Sequence, residues 1–168
     1  MDIDISRKAW RWRSQTWIIF VTGLAVILVA LVASYAFSMF KPTVDVKVGQ
    51  SGVFRLWVAD TDAELYQGLS GVDTLSRDGG LLMDFKVSGY HGIVMRDMKI
   101  PLDIVWLSES KKVVYIVKNA SPELGESKTF APTKETARYV LELPAGTVTD
   151  SAIKVGDIAE FDAVGGKI

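Results

Sequence analysis

The chain has 168 residues, of which 49% are hydrophobic, with 19 basic against 20 acidic side chains, one histidine and no cysteine. The length fits about one domain, and the missing cysteine excludes disulfide scaffolds, zinc ribbons, thiol nucleophiles and iron–sulfur ligation. A net charge of −1 offers no broad basic surface for phosphates, so no nucleic-acid partner is expected.

The chain opens with a cytoplasmic segment, residues 1–15, followed by a predicted transmembrane helix over residues 16–40. Between Arg13 and Lys41 lie 27 uncharged residues, almost wholly Ile, Val, Leu, Ala and Phe from Thr16 onward. Twenty-five helical residues extend roughly 37 Å against a hydrocarbon core of about 30 Å. Trp10, Trp12 and Trp17 at one end and Tyr35, Phe37 and Phe40 at the other suit the two interfaces. Arg7, Lys8, Arg11 and Arg13 precede the helix, which sets the amino terminus in the cytoplasm. The expected location is thus the cytoplasmic (inner) membrane, crossed once, with the carboxy-terminal domain periplasmic or extracellular. A cleaved signal peptide is the rival reading, through Ser34-Tyr35-Ala36, but the apolar run exceeds the usual 7–15 residues. Ala30, Ser34 and Ser38 recur every fourth residue and define a face on which a second membrane helix can pack, although Ala and Ser are also common in such helices.

Residues 41–52 read as a short linker with one strand at Val44–Val48, and residues 53–168 as the extracytoplasmic domain. Phe54, Leu56 and Val58 alternate with Arg55 and Trp57, the period of a half-buried strand. Thr61 and Glu64 have the capping-box spacing, and a short helix follows that ends near Gly68 or Gly71. Gly79-Gly80 leads into an apolar strand, Leu81 to Phe85. Strands are expected at 93–95, 102–107 and 113–117, the last two as a hairpin. Residues 119–136 carry no period and read as a long surface loop. A strand from Ala137 to Leu143, a break at Pro144-Ala145-Gly146, one or two helical turns over 147–153 and a closing strand at 155–161 complete the domain. The expected class is α+β, mainly an antiparallel β barrel or sandwich with one or two short helices.

The run Met95-Arg96-Asp97-Met98-Lys99-Ile100-Pro101-Leu102-Asp103-Ile104-Val105-Trp106 resembles the central motif of the DUF192 family, commonly Trp-Met-Lys-Asn-Thr followed by Pro-Leu-Asp and an apolar strand. Residues 138–146, 153–157 and 58–61 with Gly68-Leu69 resemble that family's other stretches in the same order. The resemblance implies a small α+β fold on a curved, mainly antiparallel sheet, and implies no activity. Val94, Asp97 and Met98 stand where the family commonly has Trp, Asn and Thr, and Ser70 stands where Met is usual.

His91 lies between Gly89 and Gly92 and ahead of Asp97 and Asp103. Such a group suits general-base chemistry or an oxygen-rich site, and the plainer reading is a surface-loop histidine. Asp103, between Leu102 and Ile104, needs Arg96, Lys99 or backbone donors if buried. Met83, Met95 and Met98 read as core filling rather than copper ligands, and neither a metal nor a cofactor is expected. Arg96, Asp97, Asp103, Trp57 and Tyr90 are the expected ligand or partner contacts. The favoured function is a membrane-anchored binding or accessory module, a non-catalytic subunit or scaffold among other membrane protein subunits. The alternative is an extracytoplasmic enzyme, or a binder of small carbohydrate or cell-wall ligands, that uses Asp97, Asp103 and His91.

Overall fold

The computed structural model describes residues 17, 20–32 and 42–162, which fall into two units divided between residues 41 and 42. In the first, residues 20–32 form a helix, α1. Its large apolar side chains, from Phe20 and Leu24 through Leu28 to Val32, are all more than half exposed. A helix apolar on every side has no single stripe to bury against a globular core. Among the described residues no helix is long and apolar enough to cross a membrane. Ala30 belongs to α1, whereas Ser34, Ser38 and much of the expected 16–40 span lie outside the described residues.

The second unit carries β1 (Thr43–Val48), β2 (Val53–Ala59), α2 (Asp62–Gln67), β3 (Gly79–Gly89), β4 (Leu102–Leu107), β5 (Val113–Ala120), a 3₁₀ turn (Pro122–Leu124), β6 (Ala137–Pro144), α3 (Thr147–Asp150) and β7 (Ala159–Glu160). The strands make one sheet in the order β5-β4-β6-β3-β2-β1-β7. β2 and β3 pair in parallel, and every other neighbour is antiparallel. The sheet curls until its ends meet: Lys112 and Ile158 form a bridge, and the Ala159 N–H donates to the Lys111 carbonyl at 2.9 Å. An α+β, barrel-like domain is therefore what the structure shows.

Strand alternation sorts side chains onto two faces. On β6, Tyr139, Leu141 and Leu143 join Val46, Leu56, Leu82 and Val105 in the interior of the curl. Val140 lies on the opposite face with Leu81, Met83, Ile104 and Trp106. That face is also covered, because Leu69, Ile93, Met95 and Phe130 pack on it. All six residues of β4 are consequently buried. Burial of a side chain of this size contributes roughly 2–3 kcal/mol, and Trp106, wholly buried, also satisfies its indole N–H on the His91 carbonyl at 2.8 Å. Gly80 is required where β3 meets β6, since a Cβ there would lie 2.3 Å from the Glu142 carbonyl oxygen.

At six residues α2 is too short to persist on propensity alone. Thr61 Oγ1 accepts from the Glu64 N–H, and the Glu64 carboxylate accepts from the Thr61 N–H at 3.1 Å, which closes the expected capping box. The expected strand at Val44–Val48 is β1, paired to β2 over five residue pairs. Three expectations differ from the structure. Residues 93–95 make one bridge, Ile93 to Phe130, instead of a strand. The closing strand shrinks to β7. The 119–136 stretch begins inside β5 and buries Phe130, whose N–H and carbonyl both bond to Ile93; it is a packed cover, held because the second sheet face is apolar.

Candidate functional site

The residues singled out from sequence are committed to separate partners. Asp103 is fully buried, and its two oxygens accept backbone N–H bonds from Asn119 and Val148, each at 2.8 Å. It pairs in register with Leu143 and so faces the interior of the curl. That face is opposite to the one carrying Ile104 and Trp106, and no Arg96–Asp103 pair forms. The Arg96 guanidinium lies 3.8 Å over the Tyr66 ring, donates to the Tyr66 carbonyl, and pairs with Glu126 at 3.7 Å. The His91 ring stacks on Phe85 with centroids 3.9 Å apart and donates from Nε2 to the Val87 carbonyl at 2.8 Å. Asp97 is exposed with φ of 51°, a conformation that Asn, Asp and Gly tolerate best. Tyr90 is exposed, and Trp57 is half-buried at the edge of the second core.

A buried acid that these candidates do not include lies on the other face of β6. Glu142 is opposed by Leu81 on β3 and Ile104 on β4, both buried. Only 4% of the residue is exposed, and Oε2 has no hydrogen-bond partner among the described residues. Burial pushes this carboxyl up to about 7, and one backbone N–H bond, from Leu69, opposes the shift. Glu142 and the buried Leu69, Met83 and Ile93 form the inner wall of a cavity of about 140 Å³. Tyr66, Gln67, Ser70 and Arg96 line its outer part. The Ser70 hydroxyl donates to the Arg96 carbonyl at 2.7 Å and the Gly71 N–H to the Asp97 carbonyl at 2.9 Å, which ties the two sides of the mouth together.

A carboxyl among apolar neighbours is expensive to ionise, and an unpaired buried oxygen forfeits a hydrogen bond. Structural acids in this fold avoid both costs. Asp103 holds two N–H bonds, and Asp84, 1% exposed, holds Arg138 at 3.1 Å and Lys86 at 3.2 Å. Burial pushes Asp84 up, but the bonds from Arg138 and Lys86 outweigh it and bring the carboxyl below its ordinary value. Glu142 has no such cation. Its chemistry is that of an acceptor, or of a proton carrier near neutral pH, at the apolar inner end of a small cavity whose outer lining is polar. Among the described residues no group of three or more His, Asp or Glu converges on a metal site.

In the sequence, Glu142 falls with Val140 on the face of its strand opposite Tyr139, Leu141 and Leu143. The available signal was a lone acid inside Tyr139-Val140-Leu141-Glu142-Leu143. Three of the four departures from the family pattern, Ser70, Val94 and Met98, line this same cavity. Ser70 and Val94 are smaller than the Met and Trp common there, which leaves space.

The DUF192 family, described as an uncharacterized ACR, matches residues 44–161. Among solved structures, the chain is similar to a protein of Novosphingobium aromaticivorans DSM 12444 of unknown function, with 32% identity and a TM-score of 0.65 over 70% of this chain and 84% of that one. It is also similar to a protein of Sinorhizobium meliloti 1021 provisionally described as a transcription regulator, with 25% identity and a TM-score of 0.67 over 72% of this chain and 95% of that one. No curated protein matches. The chain belongs to the DUF192 family.

Proposed function

We propose that this DUF192 chain is a membrane-tethered module whose domain, outside the cytoplasm, binds a compact molecule in the cavity closed by Glu142. The observation that carries the reading is Glu142 itself: a carboxyl buried in an apolar wall with one oxygen unpartnered, beside about 140 Å³ of space. Natural cores pair their buried polar atoms, and an apolar pocket with a few converging polar groups is the usual form of a small-molecule site. The membrane half of the reading is supported by the 27-residue uncharged run, the basic residues before it and the exposure of apolar side chains on all sides of α1. His91, Asp97 and Asp103 do not supply a catalytic group in this reading, since the first and third are held by Val87, Asn119 and Val148.

The test is a fragment panel of neutral, cationic and anionic molecules of up to about eight heavy atoms, added to the full chain in non-ionic detergent and followed by amide NMR. Binders are expected to shift Gly68, Leu69 and Ser70. A panel in which no member shifts them would refute the site.

The accessory-subunit reading is compatible with ligand binding. It is favoured by α1, where Ala30 offers a small side chain among larger apolar ones. Mild-detergent extraction with cross-linking should then recover the chain with other membrane subunits, and migration alone counts against this second reading.

A further inference from the structure

We infer that the molecule held in the cavity is a small primary amine, bound as its ammonium by the open carboxylate oxygen of Glu142, with a short apolar body against Leu69, Met83 and Ile93. This rests on the reading of the cavity as a ligand site and names the class of ligand.

Four observations lead to it. One carboxylate oxygen already accepts the Leu69 N–H, and Oε2 alone is unpartnered. A single donor fits that arrangement, whereas a forked guanidinium or amidinium needs both oxygens. The acid is enclosed by Leu81 and Ile104, so a charged donor gains more there than a neutral one, because ion pairing strengthens as the local dielectric falls. The inner walls are Leu69, Met83 and Ile93, which take a hydrocarbon body of a few carbons. Arg96 stands in the outer lining, its charge only loosely met by the exposed Glu126 at 3.7 Å. A second cation at the far end of the ligand would face that guanidinium, which selects a monoamine over a diamine.

The titratable and charged groups around the cavity are few. The α2 side offers Tyr66, the 94–98 segment offers Arg96, and β3 and β4 present Leu81, Met83 and Ile104 to Glu142. An ammonium therefore enters against the proton that Glu142 holds near neutral pH. Amine binding releases that proton, and affinity rises with pH until the carboxyl is fully ionised.

The experiment titrates the full chain, in non-ionic detergent, with n-butylammonium, n-butanol, butyrate and 1,4-diaminobutane, and follows the Gly68 and Leu69 amides by NMR at pH 6 and pH 8. Butylammonium is expected to bind about tenfold more tightly at pH 8 than at pH 6, and at least about tenfold more tightly than butanol, butyrate or the diamine at pH 8. Glu142→Gln is expected to remove that preference for the amine while still admitting butanol. The pH comparison on the unsubstituted chain needs no variant to fold. Butanol binding as tightly as butylammonium, an amine affinity flat between pH 6 and pH 8, or an amine preference retained in Glu142→Gln would each overturn the inference. If butylammonium does not shift these amides but other members of the fragment panel do, the ligand class is wrong and the site stands. If nothing shifts them, site and ligand class fall together.

Discussion

Glu142→Gln is expected to stabilise the domain at alkaline pH and to leave it almost unchanged at acid pH. The folded carboxyl titrates at about 7 against an ordinary value of 4.5. The folded state therefore holds its proton more tightly than the unfolded state, which sheds its proton first as pH rises. The contribution of the protonated group is fully present below the unfolded value, declines between the two values, and is gone above the folded one. The size of that loss is about 3 kcal/mol, because each pKa unit corresponds to about 1.4 kcal/mol. Gln cannot ionise, and its carbonyl keeps the acceptor for the Leu69 N–H. At pH 8 the variant should thus exceed the parent by up to about 3 kcal/mol, or roughly 10 °C in Tm for a domain of this size. At pH 4 the two should agree within about 0.5 kcal/mol. Urea unfolding of the full chain in non-ionic detergent at pH 4, 6 and 8 measures this directly, and the parent–variant difference cancels every other titrating group. Parallel curves for the two proteins across that range would show that Glu142 ionises as freely in the fold as outside it.

Asp103→Ala strips two buried backbone N–H groups of their acceptor and should cost about 3–5 kcal/mol in urea unfolding, with the slope unchanged. Asp84 titrates below its ordinary value, so its stabilisation is present above the unfolded value and is lost as pH falls through the folded one. Arg138→Ala should lower stability by about 2–4 kcal/mol at pH 7 and flatten the decline seen in strong acid, as read from thermal unfolding between pH 2 and pH 7. Thr61→Ala opens the capping box and should cost about 1 kcal/mol, with hydrogen exchange accelerated across α2 in preference to the sheet.

Much of the fold was readable because its signals are local. The Thr61–Glu64 box, the alternation in β2 and the hairpin of β4 with β5 each depend on residues close in sequence. The parallel pairing of β2 with β3 was not readable, since it is set by the path between residues 60 and 78 and leaves no mark on either strand. Nor was the second covered face of the sheet. Ile93 reads as part of a short strand and Phe130 lies in a stretch without a period, yet both roof the face on which Val140 and Glu142 lie. Tyr139, Leu141 and Leu143 alternate with Val140 and Glu142, and the roof buries the acid that this alternation leaves on the second face. Asp103 shows the same limit from the other side. Its burial followed from Leu102 and Ile104, but its partners are main-chain groups of Asn119 and Val148, which no side-chain pattern announces.

The seam at β7 sets the order in which this domain can be finished. Val48 pairs with Ala159 and Lys47 with Glu160, so a strand among the first to emerge waits for one among the last. The β1–β2 hairpin forms from neighbours, but the outer edge of β1 stays open until residue 160 has appeared, and an open edge is a template for wrong pairing. Closure over such sequence separation is slow compared with hairpin formation, on the scale of milliseconds to seconds. Two residue pairs at the seam and the Lys112–Ile158 bridge thus act as a clasp fastened after the rest of the garment is on. Chains cut short before residue 158 should retain the hairpins and lose the barrel, leaving β1 free to recruit a strand from another copy.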